Sequence, residues 1–162
     1  MENKKALVVI DVQNYYINDK TKELPRKISQ YIKDNKFDYL IFTKFVNNAE
    51  SNLYQKLNWR KMISSPDIDI CEELTPFIKE GNVFEKNTYS IFKSKSFVDF
   101  VDKNNINNLT FCGLDTDACI LASMYEGFDL GYDIKIIEEL CMCSSGDIFH
   151  DSALKIINRN LQ

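Results

Sequence analysis

The sequence predicts an α/β fold, a three-layer, doubly wound parallel sheet of five or six strands within one domain that spans residues 1–162. Two observations lead to this prediction. Short runs of apolar and β-branched residues are continuous rather than alternating, which is typical of strands buried on both faces. Segments with apolar residues at helical spacing separate these runs, and this alternation requires crossovers between parallel strands.

The predicted elements follow this alternation along the chain. The run KALVVIDV (5–12) predicts the first strand, and similar runs predict strands at 38–45, 82–86, 108–113 and 132–138. Apolar residues at helical spacing predict helices near 24–32, 50–57, 94–105, 121–130 and 153–161. Gly131 is placed to end the fourth of these helices.

The composition is that of a globular protein, with 44% hydrophobic and 27% charged residues. The net charge of −4 argues against a nucleic-acid partner. No apolar run approaches the ~20 residues of a membrane span. The start MENKKALVVIDV predicts a strand rather than a signal peptide. We therefore expect a cytoplasmic homo-oligomer, a dimer or a tetramer, that acts on a small molecule without a membrane partner.

The cysteine and histidine content argues against a metal or a nucleotide cofactor. Five cysteines, an odd number, predict reduced thiols in a chain large enough to fold without disulfides. The pair in CMC (141–143) has no second Cys/His pair to complete a zinc site, and His150 is the single histidine. The five glycines do not form either common nucleotide-binding loop. We predict that no cofactor is bound.

Three polar residues stand just past predicted strand ends, where ligands bind in sheets of this type. Asp11 follows the apolar run LVVI, and a carboxylate there is partly desolvated unless another group pairs with it. Lys86 ends the third strand, and Cys119 follows the fourth. Each also has a simpler interpretation: a loop-capping carboxylate, a solvated lysine and a small buried thiol.

Cys119 is distinguished from the other cysteines by its predicted place in the first turn of a helix. The positive end of the helix dipole and the free backbone N–H groups there are expected to lower its pKa and favour the thiolate. Cys71, Cys112, Cys141 and Cys143 lack this combination, and we predict structural roles for them.

Together, the segments ALVVIDVQNYY, FEKNTYSIF and CGLDTDACILASMYEGFDLGYDIKIIEELCMCSS resemble the isochorismatase-like cysteine hydrolases, which include nicotinamidase and N-carbamoylsarcosine amidase. The resemblance covers nearly the whole chain in family order. It implies the isochorismatase-like hydrolase fold and a catalytic set of Asp11, Lys86 and Cys119. It also implies a cis peptide between Leu114 and Asp115, which directs the N–H groups of Asp115 and Cys119 towards an oxyanion.

The chain departs from the family pattern in three places. Nicotinamidases hold a metal with an Asp-x-His motif and histidines after the second strand, whereas this chain has FTKFVNNAES there. Members that act as isochorismatases replace the cysteine by a small residue, so Cys119 favours attack on a carbonyl. The family often has a sixth strand after the last helix, and we expect that strand to be missing because the sequence ends at Gln162.

The predicted reaction is metal-independent hydrolysis of a small carboxamide, carbamoyl or ureido compound through a thioester on Cys119. Asp11 is expected to act as base and acid, and Lys86 to supply positive charge. By their position, five residues are candidates for the substrate pocket: Phe45, Asn47, Trp59, Arg60 and Tyr89.

Two other classes of function remain open from the sequence. A redox protein built on Cys119 would form a disulfide under peroxide and would not need Asp11 or Lys86. A binding protein on the same fold would keep its ligand after Cys119→Ala.

Overall fold

A single parallel sheet organises the chain. The computed structural model describes residues 4–162. Its strands are β1 (Lys4–Ile10), β2 (Tyr39–Phe45), β3 (Val83–Lys86), β4 (Ile106–Gly113) and β5 (Asp133–Cys141). They lie in the order β3-β2-β1-β4-β5, and every neighbouring pair is parallel. The flanking helices are α1 (Leu24–Asp34), α2 (Asn52–Lys56), α3 (Lys95–Lys103), α4 (Leu121–Asp129) and α5 (Asp147–Asn160).

The central strand shows that both faces of the sheet are covered. In β1, the side chains from Ala6 to Ile10 are each at most 1% exposed. Successive strand residues point to opposite faces, so a run of buried residues requires packing above and below the sheet. The predicted α/β fold with a parallel sheet is thus confirmed.

The strand ends differ from the predicted ones where polar residues are tolerated. β1 ends at Ile10 because Asp11 has a φ of +49°, outside the range of a strand. β4 begins two residues earlier than predicted, within the polar stretch at Asn107 and Asn108. β5 continues past Glu138 to Cys141, which pairs with Gly113 of β4 after a register irregularity.

The strand order places a switch point beside β1. From β1 the chain moves outwards through β2 and β3, then returns to add β4 and β5 on the other side of β1. The carboxyl ends of β1 and β4 therefore border the crevice where ligands bind in folds of this type. No helix among residues 4–162 is both long and apolar enough to cross a membrane. The segment MENKKALVVIDV is predicted to form a strand rather than a signal peptide, and its first three residues lie outside the described residues.

Candidate active site

Asp11, Lys86 and Cys119 meet at the carboxyl ends of three strands. Asp11 follows β1, Lys86 is the last residue of β3, and Cys119 lies in one π-helical turn, Thr116–Ile120, between β4 and α4. The Lys86 Nζ atom is 2.7 Å from Asp11 Oδ2 and 3.3 Å from Cys119 Sγ. The lysine thus joins the carboxylate to the thiol, although the three residues are far apart in sequence.

The Asp11 carboxylate has a partner for each oxygen. Its side chain is fully buried, and a charge in that position requires compensation. Oδ2 accepts from Lys86, and Oδ1 accepts from the hydroxyl of Thr43 in the neighbouring strand β2. The Thr43 hydroxyl oxygen in turn accepts from the Asp11 backbone N–H at 3.0 Å. This arrangement fixes the orientation of the carboxylate.

Every hydrogen-bond donor of the Lys86 ammonium is occupied. Its three donors go to Asp11, to Cys119 and to the carbonyl oxygen of Thr88 at 2.9 Å. The ammonium also lies 5.1 Å from the ring centroid of Phe45, within the range of a cation–π contact. Burial lowers the pKa of Lys86, but its interactions with the acidic groups Asp11 and Cys119 outweigh burial and raise that pKa overall. Lys86 therefore remains charged in a dry site.

The turn that carries Cys119 is held from both ends. At its start, the Thr116 N–H donates to the Met142 carbonyl oxygen at 3.0 Å, and the Thr116 hydroxyl lies 2.8 Å from His150 Nδ1. At its end, the buried Ser123 hydroxyl donates to the Cys119 carbonyl oxygen at 2.7 Å. A cis peptide joins Leu114 and Asp115, in agreement with the sequence prediction.

The expected lowering of the Cys119 pKa is wrong for the free protein. Burial raises the pKa of this thiol, the negative charge of Asp11 raises it further, and Lys86 acts in the opposite direction without prevailing. The physical reason is that the charge of Lys86 is already balanced by Asp11, so a thiolate would add an unbalanced charge to a dry site. Cys119 is therefore a thiol at rest, and its ionisation requires a base.

A cavity of about 270 Å³ opens beside Cys119. This volume is close to the lower limit for small-molecule sites, about 300 Å³. Its wall is mainly aromatic and apolar. It is lined by Tyr16, Phe45, Leu53, Leu57, Trp59, Tyr89, Asp115, Ala118 and Cys119.

The structure separates the five predicted pocket residues into two groups. Phe45, Trp59 and Tyr89 line the cavity, with the Phe45 and Trp59 rings 5.8 Å apart. Asn47 and Arg60 do not belong to this wall. Asn47 is buried and donates to the carbonyl oxygens of Trp59 and Lys61, so its amide shapes the loop instead.

Arg60 lies outside the cavity wall. Its guanidinium lies 4.2 Å from the ring centroid of Tyr54, and its Nε donates to Asn58 Oδ1. The side chain is exposed. A role for Arg60 in binding a substrate carboxylate has no support in this geometry.

Two residues of the site were missed by the sequence interpretation. Thr43 holds Asp11, and its signal was a polar residue within the apolar strand YLIFTKF. Tyr16 lines the cavity and follows Asp11 by five positions. The sequence alone did not distinguish it from its exposed neighbour Tyr15, because no periodic pattern spans this short turn.

The residues after β2 do not fit the metal site that the resemblance implies for nicotinamidases. The Asn47 side-chain oxygen accepts from the Asn48 N–H and the Ser51 hydroxyl, while its nitrogen serves the two loop carbonyls. The histidine of this chain, His150, lies on α5 and contacts Thr116. No step of the chemistry is assigned to a metal here.

A second set of side chains could supply metal ligands, but their ligand atoms form hydrogen bonds within the protein. Side-chain ligand atoms of Asp115, Asp117 and Cys143 lie within 4.8 Å of one another. Asp115 accepts from the Ser144 N–H and hydroxyl, and Asp117 accepts from the Cys143 thiol at 2.9 Å. Burial, with the bond to Asp117, raises the Cys143 pKa to about 12, so this sulfur is a protonated donor near neutral pH.

Gln13 fastens the loop that carries much of the cavity wall. Its buried carboxamide donates to the carbonyl oxygens of Phe45 (2.9 Å) and Ile68 (2.7 Å), and accepts from the Phe45 N–H at 2.8 Å. The Cys71 N–H also donates to the Val12 carbonyl oxygen. Both ends of the 46–70 loop are thus attached to the residues just after Asp11.

Comparisons with known proteins agree with this fold. The chain is 23% identical over 165 residues to the uncharacterized isochorismatase family protein YrdC of Bacillus subtilis, which covers 94% of this chain and 83% of the relative. Nicotinamidase PncA from Bacillus subtilis superimposes with a TM-score of 0.82 at 21% identity, covering 98% of this chain and 96% of its own.

N-carbamoylsarcosine amidase from Thermoplasma acidophilum superimposes with a TM-score of 0.74 at 19% identity, covering 96% of this chain and 93% of its own. At these identities the structural likeness shows a shared fold. Residues 5–161 match the family profile described as the Isochorismatase domain, which is nearly the whole chain. The chain therefore belongs to the isochorismatase family.

Proposed function

We propose that this protein is a cysteine hydrolase that cleaves the C–N bond of a small carboxamide-like compound through a thioester on Cys119. The observation that carries the proposal is the contact of Lys86 Nζ with both Asp11 Oδ2 and Cys119 Sγ beside a cavity. A nucleophile, an acid–base group and an orienting cation within hydrogen-bond reach form the arrangement that covalent hydrolysis needs.

In the acylation step, Asp11 takes the proton of the Cys119 thiol as the sulfur attacks the carbonyl carbon. A base is needed because the thiol is protonated at rest. The tetrahedral intermediate then collapses, the C–N bond breaks, and Asp11 returns the proton to the departing ammonia or amine. Lys86 keeps the carboxylate in position and offsets the negative charge that passes between oxygen and sulfur.

In the deacylation step, water replaces the amine. Asp11 removes a proton from a water molecule that attacks the thioester carbonyl, and the C–S bond breaks to release the carboxylic acid and the Cys119 thiol. The net reaction is amide plus water giving acid plus ammonia or amine. We assign stabilisation of the oxyanion to the N–H groups of Asp115 and Cys119, each of which would contribute about 3 kcal/mol.

The decisive experiment measures ammonia release from a panel of small amides, ureas and carbamoyl compounds. Mass spectrometry of the Cys119 peptide after acid quenching should show an added acyl group with any compound that is hydrolysed. Cys119→Ala protein is the control for both signals. Ammonia release that continues in Cys119→Ala protein would reject the proposal.

Hydrolysis is proposed to proceed without a metal, because the residues after β2 do not supply the ligands that the resemblance implies. Activity should survive exhaustive dialysis against a chelator. Activity that is lost on dialysis and restored by stoichiometric zinc would contradict this part of the proposal.

The redox alternative is less well supported by the site. The Cys119 side chain is buried, and its pKa is raised by that burial and by Asp11. Redox-sensing thiols are exposed and have lowered pKa values.

A further inference from the structure

The hydroxyl of Tyr16 is a polar group on an apolar wall. Tyr16 ends the short helical turn Asn14–Tyr16 after β1, and its ring packs edge-on against Tyr15 with the centroids 5.3 Å apart. Its side chain lines the cavity together with Asp115 and Cys119. No hydrogen bond of this hydroxyl is found within residues 4–162. Since no fully enclosed side-chain oxygen or nitrogen there lacks a partner, the hydroxyl is accessible to a ligand from the cavity.

The Tyr16 hydroxyl acts as a donor. Burial raises the pKa of this phenol, and the neighbouring acidic groups Asp11, Cys119 and Asp115 raise it further. The phenol is therefore protonated throughout the neutral range.

The charges around the cavity disfavour an anionic substrate. Among the described residues, its wall includes Asp115 but no lysine or arginine. The donors of the nearby Lys86 are all used, and Arg60 stacks on Tyr54 outside the wall. A carboxylate brought into this space would lose hydration without gaining a cationic partner.

We propose that Tyr16 is the specificity-determining hydrogen-bond donor of this cavity, and that it selects a small uncharged amide whose acyl group carries a hydrogen-bond acceptor. The inference rests on the proposed hydrolase function, because the carbonyl carbon must reach Cys119 while the acceptor reaches Tyr16. The aromatic side chains Phe45 and Trp59 enclose the remainder of the acyl group.

The test compares amides that are nearly identical in shape. Benzamide has no ring acceptor, whereas the three pyridinecarboxamide isomers place a ring nitrogen at different positions, and succinamate adds a carboxylate. Steady-state kinetics and calorimetric dissociation constants are measured for each probe on wild-type protein, Tyr16→Phe and Tyr15→Phe. Tyr15 is the adjacent tyrosine, is 38% exposed and does not line the cavity, so loss of its hydroxyl is the matched control.

At least one pyridinecarboxamide should be preferred over benzamide by wild-type protein. Tyr16→Phe should lower kcat/KM for that isomer roughly 3- to 10-fold, which is the usual effect of one lost neutral hydrogen bond. The loss should appear in KM with kcat nearly unchanged, and benzamide should change less than about 2-fold. Tyr15→Phe should affect neither probe, and succinamate should be the poorest ligand.

The outcomes separate this inference from the reaction on which it rests. If the amides are hydrolysed but Tyr16→Phe affects benzamide and every pyridine isomer equally, Tyr16 is not the selecting donor and the hydrolase function stands. If none is hydrolysed but a pyridine isomer binds more weakly to Tyr16→Phe, recognition stands and the reaction fails. Preference for succinamate, or failure of every neutral probe to bind, overturns the inference.

Discussion

The two sides of the candidate site are built on opposite principles. On one side, Asp11, Lys86 and Cys119 are buried and fixed by charge-assisted hydrogen bonds at strand ends. On the other side, the cavity wall draws on a loop, and two of its members, Leu57 and Tyr89, are 64% and 43% exposed. Polar contacts fix the proposed reacting groups, whereas aromatic and aliphatic side chains form the proposed substrate side.

This difference predicts that substitutions on the two sides of the site will change different kinetic parameters. A change among the buried polar groups leaves a charge or a donor unpaired and is expected to be costly. A change on the open wall removes contact area that substrate and transition state share. The first kind of change should alter kcat, and the second should alter KM.

The largest effect is expected from Cys119→Ala. Loss of the nucleophile should reduce kcat on the order of 10⁴-fold or more, while thermal denaturation should show little loss of stability because one small residue replaces another. The matched control is Cys141→Ala, another buried thiol, at the end of β5. Equal inactivation of the two variants would mean that the wrong thiol has been identified.

Asp11→Asn should separate thiol reactivity from turnover. Loss of the base should reduce kcat about 10²- to 10⁴-fold. The same change removes a charge that raises the Cys119 pKa and leaves Lys86 to pair with the thiolate, so the pKa should fall. The iodoacetamide rate, followed by peptide mass, should therefore begin to rise at lower pH than in wild-type protein.

Lys86→Met should shift the pH profile of Cys119 alkylation in the direction opposite to that of Asp11→Asn. Lys86 lowers the Cys119 pKa, so its loss should move the alkylation profile to higher pH. In wild-type protein near neutral pH, Cys119 should be no faster than the other cysteines, because its pKa is raised. Rapid alkylation of wild-type Cys119, unchanged in both variants, would contradict the charge balance described for the site.

Gly113→Ala tests how closely the reactive side is packed. Gly113 has a φ of +119°, and a Cβ there would lie 2.2 Å from the Ile10 carbonyl oxygen. We expect a loss of about 3 kcal/mol or more in the free energy of unfolding, measured by urea denaturation. Gly81→Ala is the control, with a φ of +82° but no atom within 4 Å of the added carbon, and should cost only ~1 kcal/mol. Similar losses would show that backbone conformation alone accounts for the effect.

The smallest effect is expected on the open wall. Trp59→Ala removes an aromatic face beside Phe45 and should raise KM roughly 10-fold with kcat little changed. Arg60→Ala, one residue further along, should change KM less than about 2-fold, because Arg60 contacts Tyr54 outside the cavity. Steady-state kinetics with any amide that is turned over would decide, and a larger effect for Arg60 would reverse the assignment.

The same division explains what the sequence could predict. Asp11 directly follows a predicted strand, Lys86 ends one and Cys119 follows one after a short turn, so the strand pattern predicted all three at the carboxyl edge of the sheet. The wall could not be predicted in full, because the loop after β2 has no periodic pattern that separates Trp59 from Arg60.

The direction in which the Cys119 pKa shifts could not be predicted from the sequence either. A helix start and a lysine predicted a lowered pKa when each was considered alone. The outcome depends on burial and on the carboxylate that already balances Lys86. Such a balance among three coupled groups is a property of their distances, which the sequence pattern does not contain.

The attachment of the 46–70 loop by Gln13 has a consequence for how this enzyme scaffold can diversify. The Gln13 side chain, which lies just after β1, binds both ends of the loop and fixes the distance between them. A loop with fixed ends can change in length at only a small cost in chain entropy. Exchange of this loop between relatives would bring in a new set of ligand contacts and leave the positions of Asp11, Lys86 and Cys119 unchanged.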